Sequence, residues 1–116
     1  MVGIKIGKAE ATKILSDVKP ENAFIFNINE ETSTGQSALN LSQLCEILKI
    51  VDLSSIDFHL HRGDLENWIK FLGDNILVMQ IAKIRNMPFD GEQTRGKIVE
   101  VINKRIEKLK ALELSP

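Results

Sequence analysis

Between positions 57 and 64 the chain places Asp57, His59, His61, Arg62 and Asp64, the densest set of titratable side chains in the sequence. Two imidazoles separated by one residue support two chemistries, and the choice depends on the backbone beneath them. On a strand, Asp57, His59 and His61 share one face, where two ring nitrogens and a carboxylate suit a divalent metal or acid–base work. On a helix, His59 and His61 point about 200° apart and cannot chelate together. His61 then meets Asp57 one turn away, Arg62 meets Asp57 or His59, and the set fixes a joint between helices. Trp68, one turn beyond Asp64, belongs to the same candidate cluster. These two histidines are the only ones, and the chain has no phosphate-cradling glycine loop, nucleophile elbow or paired cysteines. No catalytic residue, metal ligand or cofactor is therefore assigned. The carboxylate pairs Glu30-Glu31 and Asp90-Glu92 fall in polar or glycine-bearing stretches that read as solvated loops, without the burial that raises a catalytic acid's pKa.

The elements that must carry this cluster follow from periodicity. Ala11, Ile14, Leu15 and Val18 repeat at helical spacing; Pro20 stops that helix, and Val18-Lys19 leads out in extended geometry. In Ala23–Ile28, Phe24, Phe26 and Ile28 alternate as on a strand. The polar run Asn29–Gly35 is a turn or short loop, and Gln36–Ala38 can return as a second strand. Asn40 with Gln43 spells an N-cap and its reciprocal partner, opening a helix from Leu41 to about Val51, with Leu41, Leu44, Cys45 and Leu48 as its stripe. Cys45, among leucines, is expected to be a buried and inert thiol. Ser54 is the expected cap of a short helix with Asp57 in its first turn, in competition with the strand alternation Ile56, Phe58, Leu60. Gly63 breaks the chain and Asp64 is expected to cap the next helix, whose stripe is Leu65, Trp68, Ile69 and Leu72. Gly73 ends that helix, Asp74 caps the following one (Leu77, Ile81, Ile84), and Asn86–Gly91 with Pro88 is a loop. Asp90 or Thr94 opens a long last helix with Ile98, Ile102, Ile106, Leu109 and Leu112 as its seam.

These elements make one domain over residues 1–116 of the α+β class, mainly α: five or six short helices packed with one small strand or hairpin at about residues 23–39. Composition agrees, with 43% hydrophobic and 27% charged residues and a mean hydropathy of -0.06, ordinary values for a folded soluble chain. No apolar run approaches the ~18 residues that span a bilayer, and Met1–Gly7 alternates apolar with polar instead of forming a signal core. With one cysteine, the expectation is a cytoplasmic protein without membrane contact.

Charge is segregated. Residues 1–20 carry +2 and residues 95–116 carry +3, while 21–94 set five Lys or Arg against eleven Asp or Glu, giving −6. Basic ends folding onto an acidic centre account for this layout. Lys97, Lys104, Arg105, Lys108 and Lys110 offer a phosphate-contacting face, but a pI near 6.1 and the lack of interleaved aromatics argue against a nucleic-acid partner. The seam of the last helix is longer than a small core needs. Phe24, Phe26, Ile106, Leu109 and Leu112 are therefore the expected contact surface for a second copy or another protein.

Ala23-Phe24-Ile25-Phe26, Gly35, Ala38-Leu39-Asn40-Leu41, Val51, Ser55-Ile56, Phe58-His59, Arg62-Gly63-Asp64, Trp68-Ile69, Leu72-Gly73-Asp74 and Arg95 recur in an order that resembles a small, functionally uncharacterised prokaryotic domain family, largely archaeal. The resemblance runs from about Ala9 to Leu112 and is most specific over Ser55–Trp68; Val78-Met79 departs from it. It implies a shared fold and a cytoplasmic setting, transfers no catalytic residue, and favours the helical form of Ser55–His61. The functional expectation is a non-enzymatic protein-interaction or regulatory domain, self-associating or binding another protein. A metal-dependent or acid–base module built on Asp57, His59, His61 and Asp64 is the alternative.

Overall fold

The computed structural model describes residues 6–115, so most of the Met1–Gly7 alternation lies outside the described residues. Six helices and one hairpin follow in order: α1 (Lys8–Leu15), a 3₁₀ turn (Pro20–Asn22), β1 (Phe24–Asn27), β2 (Ser33–Ala38), α2 (Leu41–Leu48), α3 (Leu53–Arg62), α4 (Asp64–Leu72), α5 (Asn75–Arg85) and α6 (Gly91–Glu113). The class is α+β and mainly α. No helix among the described residues is long and apolar enough to cross a membrane.

Helix α6 is the spine. At 23 residues it extends about 34 Å, and α1, α2, α3 and α5 pack along it. Ile98, Ile102, Ile106 and Leu109 are buried by that packing, while Leu112 is half-buried against the same core. This corrects the expected contact surface. The seam that looked oversized is consumed by four neighbouring helices, and Phe24 and Phe26 turn inward to join the same buried cluster.

The hairpin is antiparallel, pairing Phe24 with Ala38, Ile25 with Ser37 and Asn27 with Ser33, with an irregularity between Ile25 and Asn27. Its second strand begins at Ser33, earlier than the expected Gln36, because Asn29 closes a tighter turn: its Oδ1 accepts from the Glu31 and Thr32 N–H groups at 2.9 Å each. Strand β1 lies on α3 and β2 on α2.

Local signals fix most helix ends. Asn40 Oδ1 accepts from Gln43 N–H at 2.8 Å, and Gln43 Oε1 accepts from Leu39 N–H at 2.8 Å, a capping box displaced by one residue. This helix ends at Leu48, short of Val51. α1 ends at Leu15, before Val18: Ser16 Oγ–H donates back to Thr12 O at 2.6 Å, and Val18 N–H is drawn to Leu39 O at 2.8 Å, which straightens the chain. Helix α3 starts one position ahead of Ser54, capped by Asp52, whose Oδ1 accepts from Ser54 N–H at 2.8 Å. Asp74 caps α5 as expected, accepting from Leu77 N–H. It also holds Arg105 of α6 through two hydrogen bonds of 2.7 and 3.0 Å, a buried ion pair joining α5 to the spine.

Candidate functional site

The strand form of Ser55–His61 is excluded: the segment lies within α3. Its apolar side, Ile56 and Leu60, is buried with Ser55 and His59, while Asp57 and His61 face outward. The helix then stops at Gly63, which adopts φ +76°, a left-handed conformation strained for any residue with a Cβ. Gly63 closes α3 and opens α4 at once. This abrupt joint brings the last turn of one helix against the first residue of the next.

The consequence is a fixed pairing of His59 with Asp64. His59 is 4% exposed, and its Nδ1 lies 2.8 Å from Asp64 Oδ2. Its Nε2 accepts from the backbone N–H of Asn27 in β1 at 2.8 Å. Because an amide N–H only donates, Nε2 holds the lone pair and Nδ1 holds the proton. Both ring nitrogens are thus engaged, and ligating a metal through Nε2 requires breaking the bond to the hairpin. Asp64, expected as a side-chain cap, is turned instead onto His59 and onto Arg62 Nε at 3.0 Å.

The rest of the cluster divides. Arg62 spreads its guanidinium 4.8 Å from the centre of the Phe58 ring and approaches Glu30 of the hairpin turn at 3.7 Å, instead of meeting Asp57 or His59. His61 Nδ1–H donates to the Asp57 backbone carbonyl at 2.8 Å, so the expected contact with Asp57 uses its main chain and not its carboxylate. His61 and Asp57 are remote in orientation from His59. Among the described residues no three His, Cys, Asp or Glu side chains are placed to hold a metal ion. Cys45 is buried, and burial pushes its thiol above the ordinary value, with Lys49 opposing. Hydrogen bonding from Ser54 holds the Asp52 carboxyl below its ordinary value.

Trp68 completes the joint from α4. Its indole N–H donates to the Asn22 carbonyl at 2.8 Å. Phe24 sits at the centre of an aromatic set, with ring centroids 4.8 Å from His59, 4.9 Å from Phe26 and 5.8 Å from Trp68, all edge-on.

Beside this set lies a groove of about 400 Å³. Ala23, Ile25 and Asn27 of the hairpin edge line one wall; Asp64, Asn67, Trp68 and Phe71 of α4 line the other, with Phe24 and His59 at the base. Ile25 is 48% exposed and Phe71 58% exposed. Sequence reasoning passed over Ile25, Phe71, Asn22, Asn27 and Asn67. A signal existed for the first two: Phe71 falls off the Leu65–Leu72 stripe, and Ile25 occupies the pleat opposite Phe24 and Phe26. Large apolar residues on the outward side of an amphipathic element mark exposed apolar surface.

On the C-terminal helix, the basic positions weighed for a phosphate-contacting face are partly committed within the fold. Arg105 is buried and committed to Asp74, and Lys97 lies 3.9 Å from Glu100.

No protein-family model, curated protein or solved structure matches this chain.

Proposed function

We propose that this chain is a non-enzymatic, cytoplasmic protein-interaction domain whose docking surface is the groove between β1 and α4. The observation that carries this reading is the exposure of Ile25 and Phe71 on opposite walls of a cleft whose base is aromatic. Leaving two large apolar side chains in water beside a cleft within the ~300–1,000 Å³ range of ligand sites is the surface signature of a docking region. Among the described residues, the other exposed large apolar side chains, Ile50, Met79, Met87 and Leu114, do not line this groove. A lone buried cysteine accords with a reducing cytoplasm. The similarity of Ser55–Trp68 to an uncharacterised prokaryotic family sits beside this reading and adds no activity to it.

Selection of random linear peptides displayed on phage, against the native chain and against a Phe71→Asp, Ile25→Asp variant, tests the assignment. Both positions are exposed, so the variant is expected to keep the fold, which a thermal melt checks. Convergent enrichment on the native chain with at least tenfold weaker binding to the variant supports the reading. No enrichment, or enrichment indifferent to the two substitutions, overturns it.

A further inference from the structure

Resting on that reading, we infer that the groove takes an extended segment of another protein, gripped through its backbone and carrying a Lys or Arg that meets Asp64. Three observations converge on this occupant.

The first is the state of the sheet edge. In β1, Phe26 O accepts from Thr34 Oγ of β2 at 2.9 Å, while Ile25 and Asn27, on either side of the register irregularity, line the groove. The Asn27 N–H is closed by His59 Nε2, and the Asn22 carbonyl upstream is closed by the Trp68 indole. The slot between these closures centres on Ile25, which admits a short extended chain in one register and refuses a long strand.

The second is a set of idle amides. The side chains of Asn22, Asn27 and Asn67 line the groove and form no hydrogen bond with any described residue. Asn29 and Asn40 spend theirs on turn and helix caps, while Asn75, Asn86 and Asn103 are also unbonded among the described residues; what sets the three in the groove apart is that they converge on one cleft. A carboxamide offers a donor and an acceptor together, the complement of a peptide unit's C=O and N–H. With Asn22 and Asn27 on the hairpin wall and Asn67 on α4, an extended backbone between them is answered from both sides.

The third is charge. Asp64 is the only charged side chain lining the groove. Its Oδ2 is taken by His59 and Arg62, while Oδ1 has no partner among the described residues and the carboxylate keeps 26% exposure. The surrounding stretch 21–94 carries −6. A cation on the incoming chain is favoured both on approach and at Oδ1.

Peptides recovered by the selection above are resynthesised with and without N-methylation of their central amides, and titrated by isothermal calorimetry against the native chain, Asn67→Ala and Asp64→Asn. Asn67 is exposed on α4, so its variant keeps the fold; thermal melts verify both variants. A Lys or Arg at a fixed position is expected, with about tenfold weaker binding to Asn67→Ala for every sequence, the loss of one good hydrogen bond. Asp64→Asn is expected to weaken only peptides that carry the cation, and N-methylation to abolish binding. Groove-dependent peptides without a basic position, or tolerant of N-methylation, overturn this inference while leaving the interaction reading intact. Binding of soluble oligosaccharides with no groove-dependent peptide overturns both.

Discussion

Replacing His59 with Leu removes two hydrogen bonds while nearly conserving volume, and the size of the loss follows from what each partner keeps. Asn27 N–H loses its acceptor at the half-buried edge of the hairpin, and an orphaned N–H costs up to about 1–3 kcal/mol, the upper end applying where water is excluded. Asp64 loses one donor but retains Arg62 and solvent access, so its share is small. The imidazole also meets Phe24, Phe26 and Phe58 edge-on at 4.8, 6.1 and 5.0 Å. Leucine keeps the apolar burial and forfeits only the orientation-dependent part, about 0.5–1.5 kcal/mol. The sum is about 2–4 kcal/mol, a large share of the ~5–15 kcal/mol that holds a domain of this size. Urea unfolding of the His59→Leu chain gives the total. Native-state hydrogen exchange at the Asn27 amide locates it, and imidazole ¹⁵N shifts of the native chain place the proton on Nδ1. His61→Leu, at an exposed ring, serves as the control and is expected within about 0.5 kcal/mol of the native chain. A His59→Leu loss under about 1 kcal/mol, an Asn27 amide exchanging equally in both chains, or a proton on Nε2 refutes the architectural role of His59.

Asp74→Asn keeps an oxygen to cap α5 but leaves the Arg105 charge buried without its counter-ion, so urea unfolding is expected to show a loss of about 3–5 kcal/mol; pairing it with Arg105→Met recovers part of that loss. Burial raises the Cys45 thiol pKa, so on alkaline titration the unfolded state loses its proton first: the stabilisation is complete below the unfolded value and declines as pH rises past it. Cys45→Ala is expected to flatten this alkaline decline in urea midpoints, and iodoacetamide is expected to label the native thiol only as fast as the core opens.

Much of the architecture was legible because it is written locally. The Leu65–Leu72 stripe, the Asn40–Gln43 box, the Gly63 and Gly73 stops and the Asp74 cap each depend on residues within a turn of one another, and each appears where the spacing puts it. What failed is non-local. Pro20 announces that Val18-Lys19 runs extended, as it does, but nothing near Val18 announces that its N–H is drawn to Leu39 and that α1 stops at Leu15. Nothing near Ile106 says that four helices converge on α6, so its seam looked like spare surface. The histidine cluster shows both limits. Its helical form separates His59 from His61 as expected, but the partner of His59 Nε2 lies 32 residues away in the hairpin, beyond the reach of any spacing argument. Arg105 likewise read as one of five cations on a helix, while its partner Asp74 read only as a cap.

The same two side chains that hold the hairpin down also shape the groove beside it. A two-stranded sheet has two open edges. Here each strand is contacted by a helix, β2 by α2 and β1 by α3, and the groove runs along β1. His59 takes the N–H of Asn27 at the end of β1, and Trp68 takes the carbonyl of Asn22 in the 3₁₀ turn that leads into it, each from a helix that Gly63 turns against the other. An edge closed at two points cannot template indefinite strand addition, yet the interval between the closures keeps Ile25 beside Phe71 and the free oxygen of Asp64. On the proposed reading the same fastening limits an incoming chain to one place and one register, and the cluster that sequence offered as a helix joint, with metal or acid–base chemistry as its alternative, frames the groove as that joint.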